Sequence, residues 1–372
     1  NAFYLMGQPN LALGSYNTSV EIDSGFEEAW SARAKIFNLL GNSEEALSSS
    51  EKAITLNEND SEAWLNKAIA LNKMKRYQEA LSSCSKSLEI DSGNALAWKN
   101  KGIALFGLGK NEEALLSYNE CIKIDSSDSE AWAGKGTALA EMGMYEEALN
   151  SYNASLDLDK SKSDVWAKKA QVLNDLAMHE EAITASTKAI DLNPFDATAW
   201  SIKGNAQYNL GKSADALKSF EKTLEINPLD SSAWYSKGLV HVDMGVYEAA
   251  LGSFDKATKI DSSNIASWIN RGYVLLKMNR SEDALTSYEK TLGLNPSSSA
   301  AWYGKGVALN DTGKHDEALT SYNKAIELNP SNGVAWYGKG LVLRFLNSSV
   351  ESEKAFSKAE ELGYNSTKSE EA

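Results

Sequence analysis

Ten tryptophans, Trp30, Trp64, Trp98, Trp132, Trp166, Trp200, Trp234, Trp268, Trp302 and Trp336, follow one another at intervals of 34 residues and are the only tryptophans in 372 residues. A fixed period of that size marks a repeat architecture, in which each unit is one supersecondary element that buries its apolar face only against its neighbours. Such a chain cannot be read as two or three independent globular domains, whatever its length.

With each Trp set at position four, the other regularities fall into place. Position eight is Ala34, Ala68, Gly102, Gly136, Ala170, Gly204, Gly238, Gly272, Gly306 and Gly340. Position twenty is Ala from Ala46 to Ala318 and Ser352 at the end. Position twenty-four is aromatic in most repeats (Tyr118, Tyr152, Phe220, Phe254, Tyr288, Tyr322, Phe356), and position fifteen is often Gly, as at Gly41, Gly109 and Gly143. Apolar residues at four, eight and eleven share one stripe of a helix. Small residues at eight and twenty let two helices approach closely, and the bulky residues beside them fill the gap. Gly at fifteen suits the left-handed conformation that ends a helix. Each period therefore reads as helix, short turn, helix.

The Trp, Gly/Ala, Ala and aromatic landmarks resemble the tetratricopeptide repeat family over nearly the whole chain, and the W-x-x-K-G form resembles arrays of prokaryotic and archaeal type. The family's proline near the repeat end is present as Pro194, Pro228, Pro296 and Pro330; elsewhere Glu58, Ser92, Ser126, Lys160 or Ser262 stands there. The resemblance implies an all-α, right-handed superhelix of about eleven helix-turn-helix hairpins. Its expected organisation is a partial repeat over 1–22 (the end of a first helix, then a second helix with Ala12 and Tyr16), ten repeats over 23–366, and a polar tail over 367–372. Because the chain opens on Asn1 within a repeat and shows no polar cap there, a longer array is expected upstream. The alternative is an apolar end that self-associates.

Position seven is basic in every repeat: Arg33, Lys67, Lys101, Lys135, Lys169, Lys203, Lys237, Arg271, Lys305 and Lys339. Such a ladder suggests an anion track, but at about 100° per residue it points away from positions two, five, six, nine, twelve and thirteen. In the family it is that latter face that lines the inner groove. The lysine stem is expected in the seam between helices with its ammonium reaching outward. Its expected partners are the last carbonyls of the preceding repeat, or the Asp/Asn at position thirty-one (Asp91, Asp125, Asn227, Asn329), since an unpaired buried charge is costly.

The groove positions vary from repeat to repeat, which makes them the candidate binding surface. Towards the C-terminus they hold Tyr235, Leu239, Tyr273, Tyr303, Tyr337 and Arg344, with Ile269, Val242, Leu276, Val307 and Leu341 between. Aromatic residues with aliphatic neighbours are typical anchors for a bound segment. Towards the N-terminus they hold Asn66, Lys99, Asn100 and Lys168, with Asn38, Asn72 and Asn174; amides can pair with an extended peptide backbone through donor and acceptor together. The basic set by which some family members grip a terminal carboxylate is not reproduced in adjacent repeats. Nor is the asparagine ladder of certain glycosyltransferase arrays, since only Asn66, Asn100 and Asn270 stand at position six.

Little else could carry chemistry. The three histidines, His179, His241 and His315, replace packing residues, and their spacing gives no zinc pattern. Cys84 and Cys121 occupy positions for small or apolar residues and read as buried thiols, with a pair across the repeat boundary as the other reading. Gly134-Lys135-Gly136 belongs to the repeat and is no phosphate loop. A net charge of −14 disfavours phosphate backbones, and no apolar run is long enough to span a membrane. Two cysteines and no visible leader suggest a reducing, cytoplasmic setting. The expectation is a non-enzymatic scaffold without cofactor or metal that holds a protein or peptide segment in its groove. The alternatives are a self-associating structural rod and the targeting segment of a larger enzyme.

Overall fold

The computed structural model describes residues 6–364, so the expected tail at 367–372 lies outside the described residues. Every regular element among them is an α-helix, 21 in all. The helices group into two compact units, residues 1–194 and 195–372.

In the first unit a helix Pro9–Ile22 precedes five hairpins whose Trp helices are Glu27–Leu40, Ser61–Lys73, Ala95–Gly107, Ser129–Glu141 and Ser163–Asp175. In the second unit the Trp helices are Ala197–Asn209, Ser231–Asp243, Ile265–Lys277, Ser299–Asp311 and Gly333–Phe345. Each is followed by a second helix, such as Tyr77–Ile90 or Ser281–Leu294. Within either unit consecutive Trp helices touch one another, whereas the second helices touch only Trp helices. The Trp helices therefore form the closely spaced inner layer of each unit, and the second helices form the outer one.

The local chemistry explains these boundaries. The alanines at position twenty, from Ala46 to Ala318, are all fully buried at the helix crossing. Ser352 replaces the last one and donates its hydroxyl to the Gly340 carbonyl (2.8 Å), which satisfies the buried oxygen. Position fifteen is left-handed throughout: Gly41 has φ 83°, and the non-glycine residues Lys75, Ala177, Asn279 and Asn347 adopt φ of 57–59° at the same place. From Asp60 on, and except at Lys162, position thirty-four caps the next Trp helix; Asp60 itself accepts from Glu62 N and Ala63 N. Position thirty-one closes the inter-repeat turn on itself: the side chains of Asp91, Asp125 and Asn227 accept the N–H two residues on. The indole N–H of Trp64 donates to the Glu58 carbonyl (2.9 Å), and that of Trp302 to Pro296 (2.9 Å). Each such bond ties a Trp helix to the turn before it.

The basic ladder points away from the inner layer, but its partners differ from the expected ones. All ten cations stand over the Trp ring of their own helix, at 4.9–5.7 Å from the ring centroid. Four of them also pair with an acid at position twenty-five of the preceding repeat: Lys67 with Glu51 (2.9 Å), Lys237 with Glu221 (3.1 Å), Arg271 with Asp255 (2.6 Å) and Lys305 with Glu289 (3.1 Å). The position-thirty-one side chains are occupied by their own turns, which is why they do not serve the ladder.

Candidate functional site

The inner face of each unit is built from positions two, five, six, nine, twelve and thirteen of the Trp helices, because those positions point away from the second helix. In the second unit this face opens into a pocket of about 430 Å³ between the Trp helices Ile265–Lys277 and Ser299–Asp311. Its walls are Ile269, Tyr273, Leu276, Tyr303 and Val307, and Lys277 and Asp311 stand among them with opposite charges. Tyr273 is 40% exposed, a large value for an aromatic ring on an inner face, and Lys277 lies over it with Nζ 5.6 Å from the ring centroid. Tyr303 leans on Tyr322 beneath it (ring centroids 6.0 Å apart). Burial, with Tyr364 and Asp311 near by, pushes the Tyr303 phenol up to about 12, so it stays a neutral hydrogen-bonding group.

The other C-terminal candidates flank this pocket on the same side of the Trp helices. Tyr235 rests on Phe254 (5.9 Å) beside the half-buried Leu239, and its hydroxyl accepts from Asn270 Nδ2 (3.4 Å). Tyr337 is enclosed between Phe356 (5.3 Å) and Tyr364 (4.9 Å), so less of it is open than its position suggested. The Arg344 guanidinium lies over the Phe356 ring (4.8 Å) and is exposed.

The N-terminal candidates are placed differently. Asn66 and Asn100 are 3% and 5% exposed. Asn66 donates to the Ser31 carbonyl (3.5 Å) and Asn100 to Leu96 (2.8 Å); the backbone carbonyls of these two residues receive Asn38 (2.8 Å) and Asn72 (2.9 Å). These amides stitch neighbouring Trp helices together, and the expected open amide row on the groove is absent at these four positions. Lys99 is 9% exposed and bonds both Asp128 (2.8 Å) and Glu130 (2.7 Å). Its burial favours the neutral amine, but the two carboxylates prevail and hold its pKa above the ordinary value. Lys168 is exposed, with only Asp164 at 3.6 Å. Sequence reasoning passed over Ile69, Leu96 and Ile103, which line a smaller inner-face pocket of about 320 Å³ beside Lys73 and Lys99. Their signal was present: aliphatic residues at positions two and nine of adjacent repeats.

The remaining candidates carry no constellation. His179 and His315 contact Asn174 (2.9 Å) and Asn310 (3.1 Å) through Nδ1. His241 is held below its usual pKa by burial and by the neighbouring Lys237. Cys84 and Cys121 are buried free thiols, pushed up by burial to about 12 and about 11, so neither is a ready nucleophile. No cluster of His, Cys, Asp and Glu suited to a metal occurs among the described residues, and no helix among them is long and apolar enough to cross a membrane.

No curated protein sequence matches the chain. Among solved structures it is similar to the C-terminal part of a TPR repeat-containing protein from Cytophaga hutchinsonii, at 18% identity and TM-score 0.52 over 64% of this chain and 98% of that one. It is also similar to YrrB, described as a TPR protein with an unusual peptide-binding site (26% identity, TM-score 0.44, 50% of this chain and 96% of that one). A third similar structure is yeast Tom70 (15% identity, TM-score 0.45, 97% and 90%). The tetratricopeptide repeat family itself matches at residues 27–60, 61–94, 95–128, 129–162 and 163–196, and again at 203–265, 269–333 and 311–365. With the Trp ladder, the paired helices and matches through both units, the chain belongs to the tetratricopeptide repeat family.

Proposed function

We propose that the inner face of the second unit binds an extended protein segment, anchored by a side chain seated between Tyr273 and Tyr303. Tetratricopeptide repeat proteins typically mediate protein–protein interactions and are usually non-catalytic scaffolds. The observation that carries the finer reading is the pocket of about 430 Å³, walled by aromatic and aliphatic side chains on the exposed inner face. Packing within the hairpin does not require an exposed Tyr273, whereas anchor recognition does. Lys277 and Asp311 offer one donor and one acceptor group to the segment's backbone. Tyr235, Leu239, Tyr337 and Arg344 extend the surface to either side. Lys99, Asn66 and Asn100 hold neighbouring helices of the other unit together, and Lys168 is exposed there beside Asp164 on its own helix; all four are left out of the binding set. The partner is a protein or peptide, in a cytoplasmic setting, and no cofactor takes part.

Selection of displayed random peptides on the intact chain, followed by titration of the enriched peptides, tests this reading. Tyr303→Ala should weaken them by about thirtyfold, the usual cost of truncating a central aromatic anchor. Binding that is indifferent to Tyr303→Ala overturns it.

A further inference from the structure

Glycine at position six of a Trp helix opens a window in the inner face. Three repeats have it, Gly134, Gly304 and Gly338, and in each the preceding repeat carries tyrosine at position twenty-four: Tyr118, Tyr288 and Tyr322. The geometry explains the pairing. A Cβ on Gly304 would lie 2.3 Å from Tyr288 Cζ, one on Gly134 2.6 Å from Tyr118 Cζ, and one on Gly338 2.7 Å from Tyr322 Cζ. The tip of each phenol therefore occupies the space a position-six side chain would fill. Where position six carries a side chain, the ring beneath differs. Phe220 and Phe254 precede Ser236 and Asn270, while Tyr152, which precedes Lys168, turns its hydroxyl to Thr137 Oγ1 (3.3 Å).

Tyr288 is the instance that opens into a cavity. It is 3% exposed, yet it lines the pocket between Tyr273 and Tyr303. Its hydroxyl makes no hydrogen bond to another of the described residues and is not among their fully buried unpaired polar atoms, so it meets the open space of the pocket. Burial raises its pKa, so the group keeps its proton and can donate. A ligand that covers this hydroxyl without bonding it would leave it unpaired, which is costly, and the direction from which a ligand reaches it is the pocket itself.

We infer that the Tyr288 hydroxyl is a specificity-determining floor group, which selects an anchor with an apolar body and a hydrogen-bonding tip, tyrosine over phenylalanine. This rests on the reading of the inner face as a peptide-binding surface. The walls accept the ring, and the hydroxyl reached through Gly304 bonds the anchor's tip. A site built around a hydrogen bond discriminates against the ligand that lacks it, because the protein group is then left unpaired.

The probe is a displayed library of random dodecapeptides selected on the intact chain, the enriched peptides then being synthesised with Tyr and with Phe at the anchor. Tyr288→Phe keeps the fold, since Phe220 and Phe254 occupy the same position in other repeats. The expected result is a tyrosine anchor whose affinity falls about five- to tenfold on Tyr288→Phe, with the phenylalanine peptide unchanged. Peptides that need Tyr303 but bind Tyr288→Phe equally well, or whose anchor ends in hydrocarbon, overturn the floor-group proposal and leave the groove reading standing. Peptides indifferent to Tyr303→Ala overturn both.

Discussion

Lys101 Nζ stands 4.9 Å from the centroid of the Trp98 ring. The corresponding distance from Lys67 to Trp64 is 5.7 Å, and Lys67 also bonds Glu51. The same division runs along the ladder. Lys237, Arg271 and Lys305, which have an acid at position twenty-five of the preceding repeat, also stand at 5.7 Å; Lys135, Lys169 and Lys339, which have asparagine there, stand at 5.1 Å. The carboxylate draws the cation off the ring. Without it the aromatic face is the main compensation, and burial alone lowers the pKa of Lys135, Lys169 and Lys339.

Supplying the missing acid should therefore stabilise the first unit. Asn119 occupies position twenty-five before Lys135. Asn119→Glu should add about 0.5–1 kcal/mol at low ionic strength, the usual range for a partly exposed pair. Most of that gain should vanish in about 1 M salt, where the Debye length falls to ~3 Å. Thermal melting at the two salt levels checks this, and equal melting of variant and parent at low salt would show that position twenty-five does not govern the ladder.

Ala177 adopts φ 58° at the end of the helix Ser163–Asp175, where six of the other repeats have glycine. A left-handed alanine costs roughly 1–2 kcal/mol through its Cβ, and glycine recovers part of that at the expense of a more flexible unfolded chain. Ala177→Gly should raise stability by about 1 kcal/mol in urea unfolding. The reverse change at Gly143, φ 74°, should lower it by a similar amount. A destabilised Ala177→Gly would contradict the strain assignment.

Glu27 is raised from 4.5 to about 7. Burial is the first cause, followed by a hydrogen bond and repulsion from Asp60, whose own oxygen is committed to capping the next helix. The sign follows from linkage: the native state holds a proton that the unfolded chain releases near 4.5, so stability declines as pH rises from there through about 7. Glu27→Gln keeps a donor for Asp60 and removes the charge. It should match the parent at about pH 4 and melt higher than the parent above about pH 8. A constant difference between the two melting profiles across that range would refute the titration.

The Trp period, the hairpins and the outward direction of the ladder were legible because each follows from one helix's own periodicity. Tyr273, Tyr303, Leu276 and Val307 were likewise legible as one surface, since positions five, nine and twelve share a helix face. What stayed hidden lies between elements. Asn66 and Asn100 read as groove amides, yet position six shares its space with position twenty-four of the preceding repeat, where Ser50 and Cys84 are small. The asparagines fall into the room those residues leave. Tyr288 was legible as packing but not as pocket floor, because its exposure depends on Gly304, sixteen residues on.

A second coupling of this kind links positions eight and twenty-four within a repeat. Every repeat with an aromatic at twenty-four has glycine at eight, and Ala34, Ala68 and Ala170 accompany Ser50, Cys84 and Ser186. A Cβ on Gly306 would lie 2.8 Å from Tyr322 Cε1, and Tyr322 is 3% exposed, so the ring has little room to yield. Gly306→Ala alone should cost about 1–3 kcal/mol by overpacking. Tyr322→Ser alone should cost about 3–5 kcal/mol by leaving a cavity. Together they reproduce the Ala and Ser pairing already present at Ala34 and Ser50. The double variant should therefore lose less than the sum of the two, with a coupling of about 1–2 kcal/mol. Denaturant unfolding of the four proteins in the cycle measures that coupling directly. Strict additivity would mean that the two positions are matched for reasons other than shared volume.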